Sequence, residues 1–267
     1  MTLTFRNLGI SEARAEHLEK NGLTTPTQIQ AQAIPQLLAG RDVVGQSQTG
    51  TGKTAAFSLP ILERIDVSRT EVQALILTPT RELAVQVCQA IRDFNIDRHL
   101  WILPVYGGQA IERQTRRLKQ GVHIVVGTPG RIIDLMERGE LKLNEVSWLV
   151  LDEADEMLSM GFIDDVEKIL KQVPTERQTA FFSATMPPVI RELVAKFLRS
   201  PITVSVEQPK AAPKQINQVA YTVPRGWTKA RALQPILELE DPDSAIIFVR
   251  TRRAAAELTN QLQAAGW

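Results

Sequence analysis

Apolar residues in this chain fall into short, β-branched runs separated by stretches in which they recur every three or four positions. The runs Asp42–Gly45, Ala74–Thr78, Trp101–Val105, His123–Val126, Trp148–Leu151 and Thr179–Phe182 predict strands. Most are near-continuous in Val, Ile and Leu, as strands buried on both faces are. Between them, Arg81–Phe94, Ile111–Lys119, Ile132–Arg138, Asp164–Val173 and Pro187–Leu198 carry the period of amphipathic helices. This alternation predicts an α/β fold: a doubly wound, mostly parallel sheet with helices on both faces. Loops leaving the strands at their C-terminal ends then share one sheet edge, where segments distant in sequence meet.

The pattern breaks near Glu207. Residues Glu207–Gln215 hold two prolines, two lysines and no large apolar side chain, which predicts a semi-extended interdomain linker. Alternation then restarts with a strand at Ile216–Val223, a helix at Thr228–Glu240, a strand at Ala245–Val249 and a helix at Arg252–Ala265. The expected domains are residues 1–206, a linker at 207–215, and the start of a second, cut-short α/β domain at 216–267. So few layers cannot bury a parallel sheet on both faces. An unfinished sheet edge there predicts disorder, dimerisation or strand exchange.

Composition narrows the function classes. With 267 residues, 43% of them hydrophobic, and a net charge of +1, the chain has the make-up of a soluble globular protein of one large or two smaller domains. No global basic field advertises nucleic acid, so any such contact must be local. The single Cys88 rules out an internal disulfide and reads as a packed thiol; with the chemistry below it suggests a cytoplasmic location. No apolar run approaches the roughly 18 residues of a membrane helix, and the N-terminus lacks a secretory pattern. His17, His99 and His123 are scattered without Cys partners, which argues against zinc. The basic stretch Arg113–Lys119 spreads its charge round the helix and reads as a solvated face.

The strongest chemical signal is Ser47-Gln48-Thr49-Gly50-Thr51-Gly52-Lys53-Thr54, lying between a predicted strand and a helical pattern. That context is what a phosphate-binding loop requires. Gly50 and Gly52 let backbone N–H groups approach phosphates, and the helix N-terminus adds attraction. Lys53 would reach the β- and γ-phosphates, and Thr54 would hold Mg²⁺. Ser47 stands where the general pattern begins with Gly, and it is also small. Downstream, Asp152-Glu153-Ala154-Asp155 ends a buried run. Asp152 is a candidate Mg²⁺ partner, mainly through water, and Glu153 a candidate to orient the attacking water. Taken alone, the acidic segment also fits a helix N-terminus. Ser183-Ala184-Thr185 follows the last predicted strand, where its two hydroxyls could bond to Asp155 or cap a helix before Pro187.

These segments together resemble the DEAD-box ATP-dependent RNA helicases of bacterial type, over nearly the whole chain. The resemblance implies a RecA-like fold and extends to Gly22-Leu-Thr-Thr25-Pro-Thr-Gln-Ile-Gln30, an adenine signature, with an isolated Phe5 ahead of it. It implies that Gln30 hydrogen-bonds the adenine edge, that Thr25 belongs to the same nucleotide site, and that Phe5 packs on the base. A planar amide can satisfy adenine's donor and acceptor together. Pro79-Thr80-Arg81, Gly107-Gly108 and Thr128-Pro129-Gly130-Arg131 resemble the family's RNA-binding motifs. They offer hydroxyls, glycine N–H groups and arginines that grip phosphate and sugar rather than read bases. Ser183 and Thr185, with Asp155, match the motif coupling the two sites; Lys53, Asp152 and Glu153 complete the catalytic set. Ile246–Thr251 resembles the first motif of the family's second domain, where Arg250 or Arg252 could touch RNA, although a lone arginine past a strand also reads as solvated.

The implied ligands are ATP, Mg²⁺ and RNA, gripped without regard to sequence. The implied activity is RNA-stimulated ATP hydrolysis with local unwinding of short duplexes: ATP and RNA draw two domains together, one strand is bent, and hydrolysis resets the open state. The family's later arginines, which reach the γ-phosphate, do not occur in these residues. The expectation is therefore that this chain binds ATP but turns it over poorly. The alternatives are an ATP-switched RNA clamp that does not unwind, a nucleotidase unrelated to RNA, and a DNA helicase. A GTPase is disfavoured because no Asn-Lys-x-Asp segment is present.

Overall fold

The computed structural model describes residues 3–206, 217 and 219–267. In chain order the first part runs α1 (Glu12–Lys20), α2 (Gln28–Leu38), β1 (Val43–Gln46), α3 (Lys53–Arg64), β2 (Ala74–Leu77), α4 (Arg81–Phe94), β3 (Ile102–Val105), α5 (Ile111–Lys119) and β4 (Ile124–Gly127). It continues through α6 (Pro129–Glu137), β5 (Trp148–Asp152), α7 (Ala154–Ser159), α8 (Ile163–Gln172), β6 (Gln178–Ser183), α9 (Pro188–Phe197) and β7 (Ile202–Ser205). The seven strands form one sheet in the order β3-β4-β2-β5-β6-β1-β7, and every pairing is parallel.

Alternation along the strands divides the core in two. Leu75, Leu77, Val125, Leu149, Leu151 and Phe181 face one layer, packed with Ile132 and Leu135 of α6, Val166 and Ile169 of α8, and Ile190 of α9. Ala74, Ile76, Val126, Val150, Ala180 and Phe182 face the other, with Ile29 and Leu37 of α2, Phe57 and Ile61 of α3, and Val87 and Cys88 of α4. A strand that feeds two cores has no polar face, which is why these runs read as continuously apolar. Gly45 lies directly against Phe182: a Cβ there would stand 2.5 Å from the ring.

Several features depart from the sequence expectation. β7 was not expected; it adds to the outer side of β1 and buries only Val204 fully, so its apolar signal is weak. α6 begins at Pro129 rather than Ile132, because proline's fixed φ suits the first helical position. A third apolar cluster, Phe5, Leu8, Ile10, Ala15, Leu18, Ile34, Ala55 and Leu59, joins the N-terminal segment to α2 and α3.

The chain divides into two compact units, Met1–Gln208 and Pro209–Trp267. In the second, the described residues form α10 (Lys229–Glu240), with Thr228 as N-cap, and α11 (Arg252–Ala264), capped by Thr251. The expected linker at 207–215 lies outside the described residues, as do Ile216 and Gln218 at the start of the expected strand 216–223; residues 219–223 are not strand. Ala245–Val249 was expected to be a strand and is not. No described neighbour offers it a ladder, and Ile246 and Phe248 stand 85% and 90% exposed. A strand exists only through its pairing.

Candidate functional site

The register of the sheet brings the candidate residues together. β6 lies between β5 and β1, with Asp152 opposite Phe182 and Gln46 opposite Ser183. Three loops therefore leave adjacent strands side by side: residues 47–52, Asp152-Glu153, and Ser183–Thr185. The Ser47 N–H donates to the Ser183 carbonyl at 3.1 Å, tying the first loop to the third. On the other half of the edge, β2, β4 and β3 deliver Pro79–Arg81, Thr128–Arg131 and Gly107-Gly108.

Within the first loop, Gly50 and Gly52 adopt left-handed φ values of 82° and 94°, which L side chains rarely take. Ser47 is buried; Gln48 and Thr49 are exposed. The Thr51 hydroxyl lies 3.0 Å from Ser47 Oγ and 2.8 Å from the Gln48 carbonyl. Lys53 and Thr54 open α3. Lys53 is buried, its Nζ 4.0 Å from Glu153 Oε1, and it makes no hydrogen bond among the described residues. Asp152 is buried too, and its Oδ1 likewise has no partner among them. Burial pushes its carboxyl up to about 6, against the pull of Lys53.

A buried ammonium and a buried carboxylate oxygen that make no hydrogen bond carry a high cost unless a ligand completes them. A triphosphate would satisfy the lysine, and a magnesium ion the aspartate. Among the described residues no group of three or more His, Cys, Asp or Glu could cage a metal.

Glu153 sits at φ 55°, a left-handed position for a non-glycine residue, and is the N-cap residue of α7. Its Oε1 accepts from the Thr49 hydroxyl at 3.1 Å. Asp155 is bound to the third loop: its carboxylate accepts from the Thr185 N–H and hydroxyl, both at 2.8 Å, and from the Ala184 N–H at 3.4 Å. The Ser183 hydroxyl accepts from the Asp155 N–H at 3.2 Å and donates to the Thr185 carbonyl at 2.7 Å. Burial raises the Asp155 carboxyl, but the bonds from Ser183, Thr185 and Ala184 outweigh it and hold the group below its ordinary value. The alternative of a hydroxyl cap is not what forms: α9 has Pro187 as N-cap and no side-chain cap.

Two adenine candidates are placed differently from a free base-reading pair. Gln30 is buried: its Oε1 accepts from the Thr27 N–H at 2.9 Å and its Nε2 donates to the Gly52 carbonyl at 3.1 Å. The amide thus caps α2 and joins it to the phosphate loop. Phe5 is only 2% exposed and belongs to the N-terminal cluster, so its ring is core rather than an open platform. Thr25 is exposed at the turn before α2.

Among the other candidates, Pro79 follows β2, and Thr80 caps α4 by accepting from the Leu83 N–H at 3.2 Å. Arg81 is exposed beside Glu82. Thr128, Pro129 and Gly130 form the N-terminus of α6, and nothing crowds Gly130. Gly107 and Gly108 are also uncrowded, with Gly108 at φ 81°. Arg131 is mostly buried and reaches the Gln109 carbonyl with two nitrogens at 3.3 Å.

The sequence reading missed the Thr49–Glu153 contact, which no pattern signals, and Gln114, assigned to a solvated helix. Gln114 is buried, and its Nε2 donates to the Tyr106 carbonyl at 3.0 Å. Its spacing from Ile111 and Leu118 places it on the inward stripe of α5, a signal that was available. No helix among the described residues is long and apolar enough to cross a membrane.

Known proteins are similar to this chain in sequence, and one solved structure is similar in fold. The chain is 63% identical over 266 residues to the RNA helicase CrhR of Synechocystis, covering 100% of this chain and 54% of that protein. It is 49% identical over 265 residues to the ATP-dependent RNA helicase DeaD of Escherichia coli, covering 99% and 42%. The chain thus spans about half the length of the curated relatives it matches. A solved structure of a DEAD box protein from the hyperthermophile Methanococcus jannaschii aligns with a TM-score of 0.74 at 37% identity, covering 99% of this chain and 71% of that one. The profile described as DEAD/DEAH box helicase matches residues 27–193, and with the fold and loop set above the chain belongs to that family.

Proposed function

We propose that this chain is the ATP-binding part of an ATP-dependent RNA helicase. The observation that carries the reading is the buried Lys53 and Asp152, whose Nζ and Oδ1 make no hydrogen bond among the described residues, beside a glycine-built phosphate loop. In this reading Ser47–Thr54 wraps the phosphates, Lys53 meets the β- and γ-phosphates, and Thr54 and Asp152 hold Mg²⁺, mainly through water. When bound, Mg²⁺ supplies neutralisation of the developing charge on the phosphoryl oxygens. Glu153 positions the attacking water and accepts its proton, with its Oε1 held by the Thr49 hydroxyl. Gln30 reads adenine by exchanging its present partners for the base edge, with Thr25 alongside.

Ser183 and Thr185 connect this chemistry to RNA through Asp155, since their hydrogen bonds end on the same carboxylate and N–H. Pro79, Thr80, Arg81, Gly107, Gly108, Thr128, Pro129, Gly130 and Arg131 line the RNA side, offering backbone N–H groups, hydroxyls and guanidinium to phosphate and sugar. Binding is therefore sequence-independent. Local duplex opening belongs to the whole enzyme; these 267 residues alone bind ATP and turn it over slowly. We assign residues 1–206 to the nucleotide domain, 207–215 to a linker and 216–267 to a second domain, in a cytoplasmic protein.

The test is binding of a fluorescent ATP analogue with Mg²⁺, and ATP turnover with and without single-stranded RNA. The expected result is magnesium-dependent binding that Lys53→Ala weakens at least about tenfold, the loss of one buried charge contact, with turnover near background. Binding indifferent to Lys53→Ala would overturn the reading of the site. Fast, RNA-stimulated turnover would overturn the claim that more chain is needed.

A further inference from the structure

Gln114 lies on none of the segments discussed above as RNA contacts, yet it organises two of them. The buried amide makes a hydrogen bond on each side. Its Nε2 donates to the Tyr106 carbonyl at 3.0 Å, immediately before Gly107-Gly108, and its Oε1 accepts from Arg131 Nη1 at 3.4 Å. The same guanidinium reaches the Gln109 carbonyl, on the far side of the glycines, with both terminal nitrogens. The Gln109 side chain in turn donates to the Tyr106 hydroxyl at 2.7 Å. The glycine pair is therefore clamped at both ends by one network, although nothing packs where its side chains would be.

Two glycines without packing have a broad conformational range, and holding one conformation costs entropy. An RNA-binding turn needs its N–H groups aimed before the phosphate arrives. Arg131 has a similar problem: left alone, its long side chain samples many rotamers, whereas Gln114, Gln109 and Asp134, 3.6 Å away, fix it. Gln114 is the one side chain in the network that touches both the backbone before the turn and the arginine.

We propose that Gln114 is a positioning residue for RNA, presetting the Gly107-Gly108 turn and Arg131 so that both meet adjacent backbone phosphates. The proposal rests on the RNA reading of the preceding subsection. It distinguishes Gln114 from its neighbours Arg113, Arg116 and Arg117, which lie on α5 but do not enter the network.

The test uses the full chain, a fluorescent single-stranded oligouridine and a fluorescent ATP analogue. Gln114→Leu, which keeps the volume and removes both bonds, is expected to weaken RNA binding about tenfold and leave analogue binding within about twofold. Gln114→Met should do the same, so poor folding of one variant does not decide the matter. In an Arg131→Ala background, Gln114→Leu should cost less than it does alone, because the bond to Arg131 is already lost while the bond to the Tyr106 carbonyl is not. Amide hydrogen exchange at Gly107 and Gly108 should accelerate in the Gln114 variants without RNA. Unchanged RNA affinity in both variants would overturn the proposal, as would equal losses of RNA and nucleotide binding or full additivity with Arg131→Ala. Failure of the unsubstituted chain to bind the oligouridine while binding the analogue would instead overturn the RNA reading, and this inference with it.

Discussion

Asp152 concentrates the cost of the site in one side chain. Its carboxyl, ordinarily at 3.8, is pushed up to about 6 by burial. The folded state therefore holds a proton that the unfolded state has released, and stability falls as pH rises between those values. The nucleotide-free, magnesium-free chain should show this directly. At pH 7.5 Asp152→Asn should stabilise it against urea by on the order of 2–3 kcal/mol, and the gain should shrink toward pH 5. A gain that stays constant with pH would mean that the carboxylate is not the destabilising group. The same substitution should abolish the magnesium dependence of ATP binding, so stability and function move in opposite directions at this position.

Cys88 is the contrasting buried group. Burial pushes its thiol up to about 12, and it packs among the apolar residues of α4. It should resist alkylation at pH 8 in the folded chain and react at once in denaturant; rapid labelling of the native protein would show that α4 opens. At this scale the sequence marked the charged and glycine positions as candidates, because phosphate chemistry constrains their type, and the fold brings them to one sheet edge. It did not reveal what Gln30 and Phe5 do without a nucleotide. Their present partners, the Gly52 carbonyl and an apolar cluster, come from elements that no local pattern joins.

At the scale of elements, the sheet edge depends on close approach. β3 and β4 run side by side until the Thr128 N–H bonds the Val105 carbonyl at 3.0 Å. Gly127 makes that approach possible: a Cβ there would collide with the Val105 carbonyl oxygen and stand 2.9 Å from Ile132 Cδ1. Gly127→Ala should cost about 1–3 kcal/mol of stability, measured by urea unfolding. It should also weaken RNA binding more than ATP binding, because the displaced strand ends carry Gly107-Gly108 and Thr128 while the phosphate loop lies beyond β2, β5 and β6. Equal losses would mean that the edge behaves as one rigid body. Elements with a strong period were legible: α4 and α5 begin and end where the sequence placed them. β7, with a single fully buried residue, and Ala245–Val249, with no described strand to pair with, were misread because strand formation depends on a neighbour that local sequence does not show.

At the scale of the whole molecule, the two units differ in how much they bury. The first holds all seven described strands and the three core clusters. In the second, α10 buries only Ala232 and Leu237, α11 buries nothing, and Ile246, Phe248 and Leu239 stand open to solvent. Burial of apolar area is the main favourable term in folding, so the units should not share one unfolding transition. Amides of α11 should exchange near the rate of an isolated helix, while those of β2 and β5 exchange only by global unfolding. A chain ending at residue 206 should then keep its affinity for the ATP analogue within about twofold, since every candidate phosphate and magnesium contact lies before Met186, within the first unit. It should also lose the binding of a hydrophobic dye, and any concentration-dependent association seen by sedimentation, that the apolar run at 245–249 confers on the longer chain. Persistent association of the 1–206 chain would place the sticky surface on the first unit. A large loss of ATP affinity would show that the second unit supports the phosphate loop.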